Sequence, residues 1–180
     1  MNEWKPTLSN RVYRQIWSLI YFIFFRFTPT NLHIWRILIL KTFGAKVRLS
    51  CSIYPDAKIY MPCNLIMDEK SCLGPRVNCY NVAKIQIGKF STVSQDSHLC
   101  TAGHNYNDLA ILDNPVMKTL ASEIIIEKNC WITAEVFIAP GVIIREGSVI
   151  LSRAVQTKST QEWSVNGGHP SKYIKKRLLQ

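Results

Sequence analysis

One histidine stands apart from the chain's other reactive side chains by where it falls. In Leu99-Cys100-Thr101-Ala102-Gly103-His104-Asn105-Tyr106-Asn107-Asp108 it closes a regular stretch, and residues 105–123 beyond it have no strong periodicity of their own. An excursion of that length is commonly a functional loop carried by a rigid scaffold. Imidazole, with an unperturbed pKa of about 6.5, suits the removal of a proton from a hydroxyl near neutral pH. A general base is one reading of His104, and a loop or capping histidine is the other; the residues alone leave both open. Cys100 lies close by, so a Cys-His nucleophile is a third, weaker chemistry. Asp108 either orients the imidazole or is a turn residue. His33, in an N-terminal helix, His98, closing the preceding repeat, and His169, in a late turn, rank lower.

Other chemistries lack their motifs. No serine has a G-x-S-x-G context, and there is no P-loop or G-x-G-x-x-G. The six cysteines, Cys51, Cys63, Cys72, Cys79, Cys100 and Cys130, form no C-x-x-C pair and no zinc-finger spacing with a histidine. They read as reduced, small apolar core residues, and no metal is expected.

What must position His104 is a repeat of period six. Ile126-Glu127-Lys128-Asn129-Cys130-Trp131 is followed by Ile132-Thr133-Ala134-Glu135-Val136-Phe137, and further units open at Ile138, Ile144 and Ile150. Fifth positions are small or aliphatic (Cys130, Val136, Val142, Ser148, Ala154). Upstream, Val47, Ile53, Ile59 and Leu65 keep the period; the phase steps by two to Met67, Leu73, Cys79 and Ile85, and again to Ile87, Val93 and Leu99. Period six is not the 3.6-residue pattern of a helix. Three hexads make a triangular coil with a short strand on each side, and stacked coils bury the lead residues in one continuous core. The chain holds about five such coils.

The opening differs. Ile16 to Phe25 is an apolar run, with Arg11 and Arg14 before it and Arg26 after it. It falls short of the ~20 residues needed to span a bilayer, and no small-residue cleavage site follows. Thr28-Pro29-Thr30-Asn31 breaks the run; Asn31 is the expected cap of a second helix, Leu32 to Phe43, which Gly44 ends. This helical hairpin either packs on the body or an oligomer partner, or lies at a membrane surface. In the second case Trp17, Tyr21 and Trp35 sit near the headgroups, with Arg11, Arg14, Arg26 and Lys41 toward anionic lipid.

The hexads, Phe43-Gly44-Ala45-Lys46-Val47, Tyr80-Asn81-Val82-Ala83-Lys84-Ile85-Gln86-Ile87-Gly88 and the terminal Gly168-His169-Pro170-Ser171-Lys172 together resemble the hexapeptide-repeat acyltransferases. The resemblance covers residues 47–176 and is nearest to sugar O-acetyltransferases of the colanic-acid-biosynthesis type. It implies an all-β fold, a left-handed parallel β-helix, with acetyl-CoA as acyl donor and His104 as general base in direct transfer without an acyl-enzyme. It implies that Trp131 packs near the imidazole and the pantetheine arm, and that Ala134, Ser152 and Thr157 line the pantetheine channel. Coenzyme A carries several phosphate charges, so its groove should be cationic; by resemblance Lys158, Lys172 and Lys175 supply that charge. Asn81, one coil before His104, and Asp108 are the expected acceptor contacts. Ser171 stands for the family's alanine, and Thr160-Gln161-Glu162 for its prolines. The resemblance further implies a homotrimer with the active site between neighbours.

The expected organisation is a helical segment 1–46, a β-helix domain 47–165 with its loop 105–123, and a basic tail 166–180. Hydrophobic residues are 47% and charged ones 19%, so the chain is globular. Its net charge of +10 bears on partners, not fold. Nucleic acid is not the expected partner, because the basic residues are scattered without aromatic interleaving. The expected acceptor is a small or lipid-linked sugar in exopolysaccharide or lipopolysaccharide assembly. The expected location is the cytoplasm, at the inner face of the membrane if residues 1–44 dock there. The rivals are a same-fold enzyme with a non-sugar acceptor, and a non-catalytic scaffold. A scaffold would not need His104, the loop and the Gly-x-Pro-Ser-Lys end together.

Overall fold

Three sheets run along the body, and their strands are the hexads. The computed structural model describes residues 2–105 and 117–178. The first face stacks Lys46–Val47, Leu65–Met67, Ile85–Ile87, Ile124–Ile126 and Ile143–Ile144. The second stacks Ser52–Ile53, Cys72–Leu73, Thr92–Val93, Trp131–Ile132, Val149–Ile150 and Ser164–Gly168. The third stacks Lys58–Ile59, Asn78–Tyr80, His98–Cys100, Phe137–Ile138 and Val155–Gln156. Neighbours on each face are parallel and in register, with Ile126 between Ile87 and Ile144. The result is a left-handed parallel β-helix of five complete coils, with Ser164–Gly168 opening a sixth.

The interior is made by the lead and fifth residues. Ile53, Leu73, Val93, Ile132 and Ile150 form one fully buried column. At the first two corners the second turn residue takes a left-handed conformation, as at Lys70, Phe90 and Asn129 or Arg76, Asp96 and Glu135. Each such non-glycine residue costs about 1 kcal/mol or more, and stacking on the identical corner below offsets it. Ion pairs mark the same stacks: Arg76 grips Asp96 at 2.7 Å and Lys89 meets Glu69 at 2.7 Å. Being exposed and screened by solvent, they mark the stacks more than they stabilise them. Gly88 has a stricter reason, since a Cβ there would lie 2.7 Å from the backbone carbon of Glu127.

The third corner absorbs every irregularity. The two-residue phase steps put both Leu65 and Met67, and both Ile85 and Ile87, inside. The extra residues bulge at this corner, first as a 3₁₀ turn Pro62–Asn64, then over 81–84. On the next coil the chain leaves altogether at Ala102 and returns at Ile124.

The opening forms α1 (Leu8–Ile20), a π-helical turn Tyr21–Phe25 and α2 (His33–Thr42). Thr7 caps α1, its Oγ1 accepting from Asn10 N at 3.2 Å. Asn31 does not cap α2: Leu32 holds that position without a side-chain hydrogen bond. Trp17, which the membrane reading puts at the headgroups and the other reading against the body, is 3% exposed and donates from Nε1 to the Ile59 carbonyl at 2.7 Å. Tyr21 is half-buried against the same core. Trp17, Phe25, Ile37 and Leu40 join the core of the coils, so the two helices of the N-terminal segment pack as one wall of the body. Burial of each such side chain contributes about 2–3 kcal/mol.

The end of the chain corrects another expectation. Residues 166–180 are not a free basic tail: over the described residues, Ser164–Gly168 and Ser171–Lys176 pair antiparallel on the second face. Arg177 Nη1 then donates to the carbonyls of Asn129 (2.8 Å) and Gly147 (2.9 Å), fastening the hairpin to the coils.

Candidate active site

His104 ends a strand, Ala102–His104, that pairs antiparallel with Thr119–Ala121. Asn2–Trp4 adds on the far side, so the chain's first residues brace the root of the excursion. Residues 106–116, including Asp108, lie outside the described residues. Alternation along the strand puts His104 on the same side of the ribbon as Ala102. That side packs toward the body, where Val82, Ala102 and Ala121 cluster with Trp4, Tyr60 and Tyr80. The imidazole itself is exposed. An exposed imidazole is thus carried by a braced ribbon whose root packs with Tyr60 and Tyr80.

Beside that corner is a pocket of about 380 Å³ lined by Arg14, Trp17, Lys58, Tyr60, Asn78 and Tyr80. The rings of Tyr60 and Tyr80 are 4.8 Å apart. Arg14 lies 4.9 Å from the Tyr60 ring centre and donates to its hydroxyl; Asn10 Oδ1 accepts from Arg14 Nε at 3.1 Å. Burial raises the Tyr80 phenol above its ordinary range, so it remains a neutral donor. Tyr80 pairs in register with Cys100, shortly before His104. Two adjacent rings inclined at 54°, an amide and two cations suit a polyhydroxylated ring. Lys58, Tyr60 and Asn78, which line this pocket, are not singled out by the sequence. One signal was available: Tyr60 and Tyr80 are one 20-residue coil apart, Tyr60 just after one third-face strand and Tyr80 the last residue of the next.

The expected cofactor residues fall on two edges. Trp131 is exposed on the second face and donates from Nε1 to Ser94 Oγ at 2.9 Å. Its register column continues through Val149 and Val165 to Lys175. Lys172 pairs with Gly167 on the same outward side. Three strand spacings, about 14 Å, separate Trp131 from Lys175. Ala134 and Ser152 occupy the adjoining second corner, where Thr133 Oγ1 and Ser152 Oγ are 3.1 Å apart. An aromatic face with two lysines farther along fits a ligand having phosphate at one end. Thr157 and Lys158 are exposed elsewhere, on the third corner above the excursion that carries His104. Within one chain, the two groups do not share a surface.

Asn81 does not line either surface. It is fully buried, and its amide is engaged with the Met61 backbone. His33 Nδ1 lies 2.9 Å from the Ile53 carbonyl and 3.2 Å from the Ile53 N–H, where its tautomer lets it serve one or the other, and His169 is exposed on the terminal hairpin. His98 is half-buried on the third face beside Phe137, with ring centres 5.5 Å apart. Desolvation holds its pKa below the ordinary value. Cys100 donates to the Ala102 carbonyl at 3.1 Å, a structural contact. All six cysteines are free, with Cys51, Cys79 and Cys130 buried. Among the described residues no group of three or more His, Cys, Asp or Glu is placed to hold a metal ion.

The chain is 34% identical over 170 residues to the "Putative colanic acid biosynthesis acetyltransferase WcaF" of Escherichia coli (strain K12), covering 94% of this chain and 90% of that one. A maltose O-acetyltransferase from Clostridium difficile 630 superposes with a TM-score of 0.85 at 21% identity, covering 99% of this chain and 94% of the other. A hexapeptide-repeat containing acetyltransferase from Vibrio cholerae O1 biovar eltor, complexed with acetyl coenzyme A, does so with a TM-score of 0.81 at 19% identity, covering 94% and 90%. At such identities the two structures speak to the fold alone. No protein-family model matches the chain.

Proposed function

We propose that this chain, which belongs to the hexapeptide-repeat acetyltransferase family, transfers acetyl from acetyl-CoA to a sugar hydroxyl, with His104 as general base. The reading is carried by the position of His104: an exposed imidazole on a braced ribbon, turned to the side where Tyr60 and Tyr80 wall a pocket. That pocket takes the acceptor ring. His104 accepts the hydroxyl proton as the acceptor oxygen attacks the thioester carbonyl, and returns it to the departing thiolate. No acyl-enzyme is needed, because the thioester is already activated and the base supplies what the hydroxyl lacks.

Trp131, Ala134 and Ser152 line the pantetheine arm, and Lys172 and Lys175 meet the phosphates. Thr157 and Lys158 complete the channel from a second copy of the chain. Support for that arrangement is the split just described: residues on two edges of one prism converge only when one edge of a chain meets another edge of its neighbour, as in a closed homotrimer. The likeness to a putative colanic acid biosynthesis acetyltransferase supports an acceptor in exopolysaccharide assembly.

The test is thiol release from acetyl-CoA with a panel of sugars, on the natural chain and on His104→Ala. The expected result is a fall in kcat of about 10²–10⁴, with coenzyme A still raising the melting temperature of both. Equal activity in the variant overturns His104 as base.

A further inference from the structure

The acetyl-transfer reading leaves unused the outward face of the N-terminal hairpin. α1 carries two apolar stripes. One, Tyr13, Trp17 and Tyr21, runs along the body. The other, Leu8, Val12, Ile16, Leu19 and Ile23, lies on the opposite side, and each of its residues keeps at least half of its surface exposed. Phe22 and Phe27 extend it around the end of the π-helical turn, at 59% and 68% exposed. α2 adds Ile34, Trp35 and Leu38. A soluble surface seldom collects so many large apolar side chains without a partner.

The same hairpin is rigid. Arg36 is fully buried at its turn. It donates to the carbonyls of Ile53 (2.7 Å) and Pro29 (2.9 Å) and to Thr28 Oγ1 (2.7 Å). The turn is thereby tied to the first coil, and the apolar tip is held outward. Between the helices a crevice of about 350 Å³ is walled by Ile20, Phe24, Trp35, Leu38, Ile39 and Phe43. The Trp35 indole N–H is already satisfied by the Phe24 carbonyl at 2.8 Å, so the ring needs no polar partner from outside.

Charge selects the occupant. From Leu8 to Val47 the chain has Arg11, Arg14, Arg26, Arg36, Lys41 and Lys46 and no acidic residue. Arg14 is held by Tyr60 and Asn10, and Arg36 by the turn. Arg11, Arg26 and Lys41 are exposed and take part in no ion pair among the described residues. A second copy of the same face would bring cation against cation with no acid to pair. A surface that is apolar inside and anionic at its rim matches both features. Among the described residues no helix is long and apolar enough to cross a bilayer, so the contact lies along the interface.

We infer that the outward face of the helical hairpin docks on an anionic phospholipid surface, with Phe22, Phe27 and Trp35 entering the acyl boundary and Arg11, Arg26 and Lys41 meeting the phosphates. The inference does not rest on the acetyl-transfer reading, and its test does not measure transfer. The full chain is floated with phosphatidylcholine vesicles with or without phosphatidylglycerol. Binding about tenfold stronger to the anionic vesicles is expected. Phe22→Ser with Phe27→Ser weakens it about tenfold, and Arg11→Gln with Arg26→Gln and Lys41→Gln removes the preference between vesicles. These side chains are exposed, and an unchanged melting temperature confirms that the variants fold. The comparison of two vesicle compositions needs no variant at all. Absence of the natural chain from both floated fractions overturns the inference. So does serine substitution that changes the mass of the protein in solution and not its vesicle binding, since a second copy would then be what covers the face.

Discussion

Asn81 and Met61 hold one another across adjacent coils: Asn81 Oδ1 accepts from the Met61 N–H at 2.8 Å, and its Nδ2 donates to the Met61 carbonyl at 2.7 Å. The pair closes the third corner where its extra residues bulge. Asn64 Nδ2 reaches the same corner from below, donating to the carbonyls of Asn81 (3.1 Å) and Val82 (2.8 Å). Asn81→Ala leaves a buried N–H unpaired, so a loss of about 2 kcal/mol is expected, or roughly 4–8 °C in Tm. The acceptor KM of the folded variant is expected to stay within a factor of about two, since the carboxamide does not reach solvent. An unchanged Tm with a large rise in KM would return Asn81 to the binding site.

Arg14 brings a cation from α1 into the pocket proposed for the acceptor. Arg14→Gln removes the cation and loosens Tyr60 while leaving the second face untouched. The acceptor kcat/KM should fall by about tenfold to a hundredfold, as expected when a charged hydrogen bond of about 1.5–3 kcal/mol is lost. The KM for acetyl-CoA should not move. Steady-state kinetics with each substrate varied in turn separates the two; an effect confined to acetyl-CoA would put the acceptor elsewhere.

Period six revealed the coils because every lead residue answers to the same inward position, as the register Ile87, Ile126, Ile144 shows. It also exposed the phase steps, though not that both share the third corner with the excursion after His104. Trp17 stayed open between body and headgroups because composition cannot tell which of two apolar stripes meets the body. Asn81 was misread because a polar residue near a chemical one looks like a contact until its partner, twenty residues back at Met61, is known. Arg14 figured in the sequence only as a flanking cation for lipid, because its partner Tyr60 lies 46 positions away. The terminal hairpin was read as a tail because its lysines dominate the composition. Only the pairing of Val165 with Lys175 reveals a strand.

The cysteines should divide by burial. Desolvation pushes the Cys79 thiol up to about 12 and that of Cys130 up to about 11, and thiolate, not thiol, is the reactive form. Cys63 is the one exposed cysteine of the six. Titration of the native protein with a chromogenic disulfide should show one fast thiol, absent in Cys63→Ser, with the remainder appearing only on unfolding. A fast phase that survives Cys63→Ser would mean that Cys72 or Cys100 opens to solvent in the native state.

His98 should make stability depend on pH in a defined direction. Its Nε2 is buried without a hydrogen-bond partner among the described residues, and desolvation lowers its pKa. The ring stands on the third face between Asn78 and Phe137 in register, where no acid among the described residues offsets the loss of water. Below about pH 6.5 the unfolded chain takes up a proton that the folded ring resists. The stabilising difference is therefore fully present above the unfolded pKa. It is lost as pH falls through the window down to the folded pKa, and is level below that. Tm measured from about pH 7.5 down to about pH 5 should fall for the natural chain, and less steeply for His98→Phe, which cannot titrate and packs on Phe137. Parallel curves for the two proteins would assign the pH dependence to other groups.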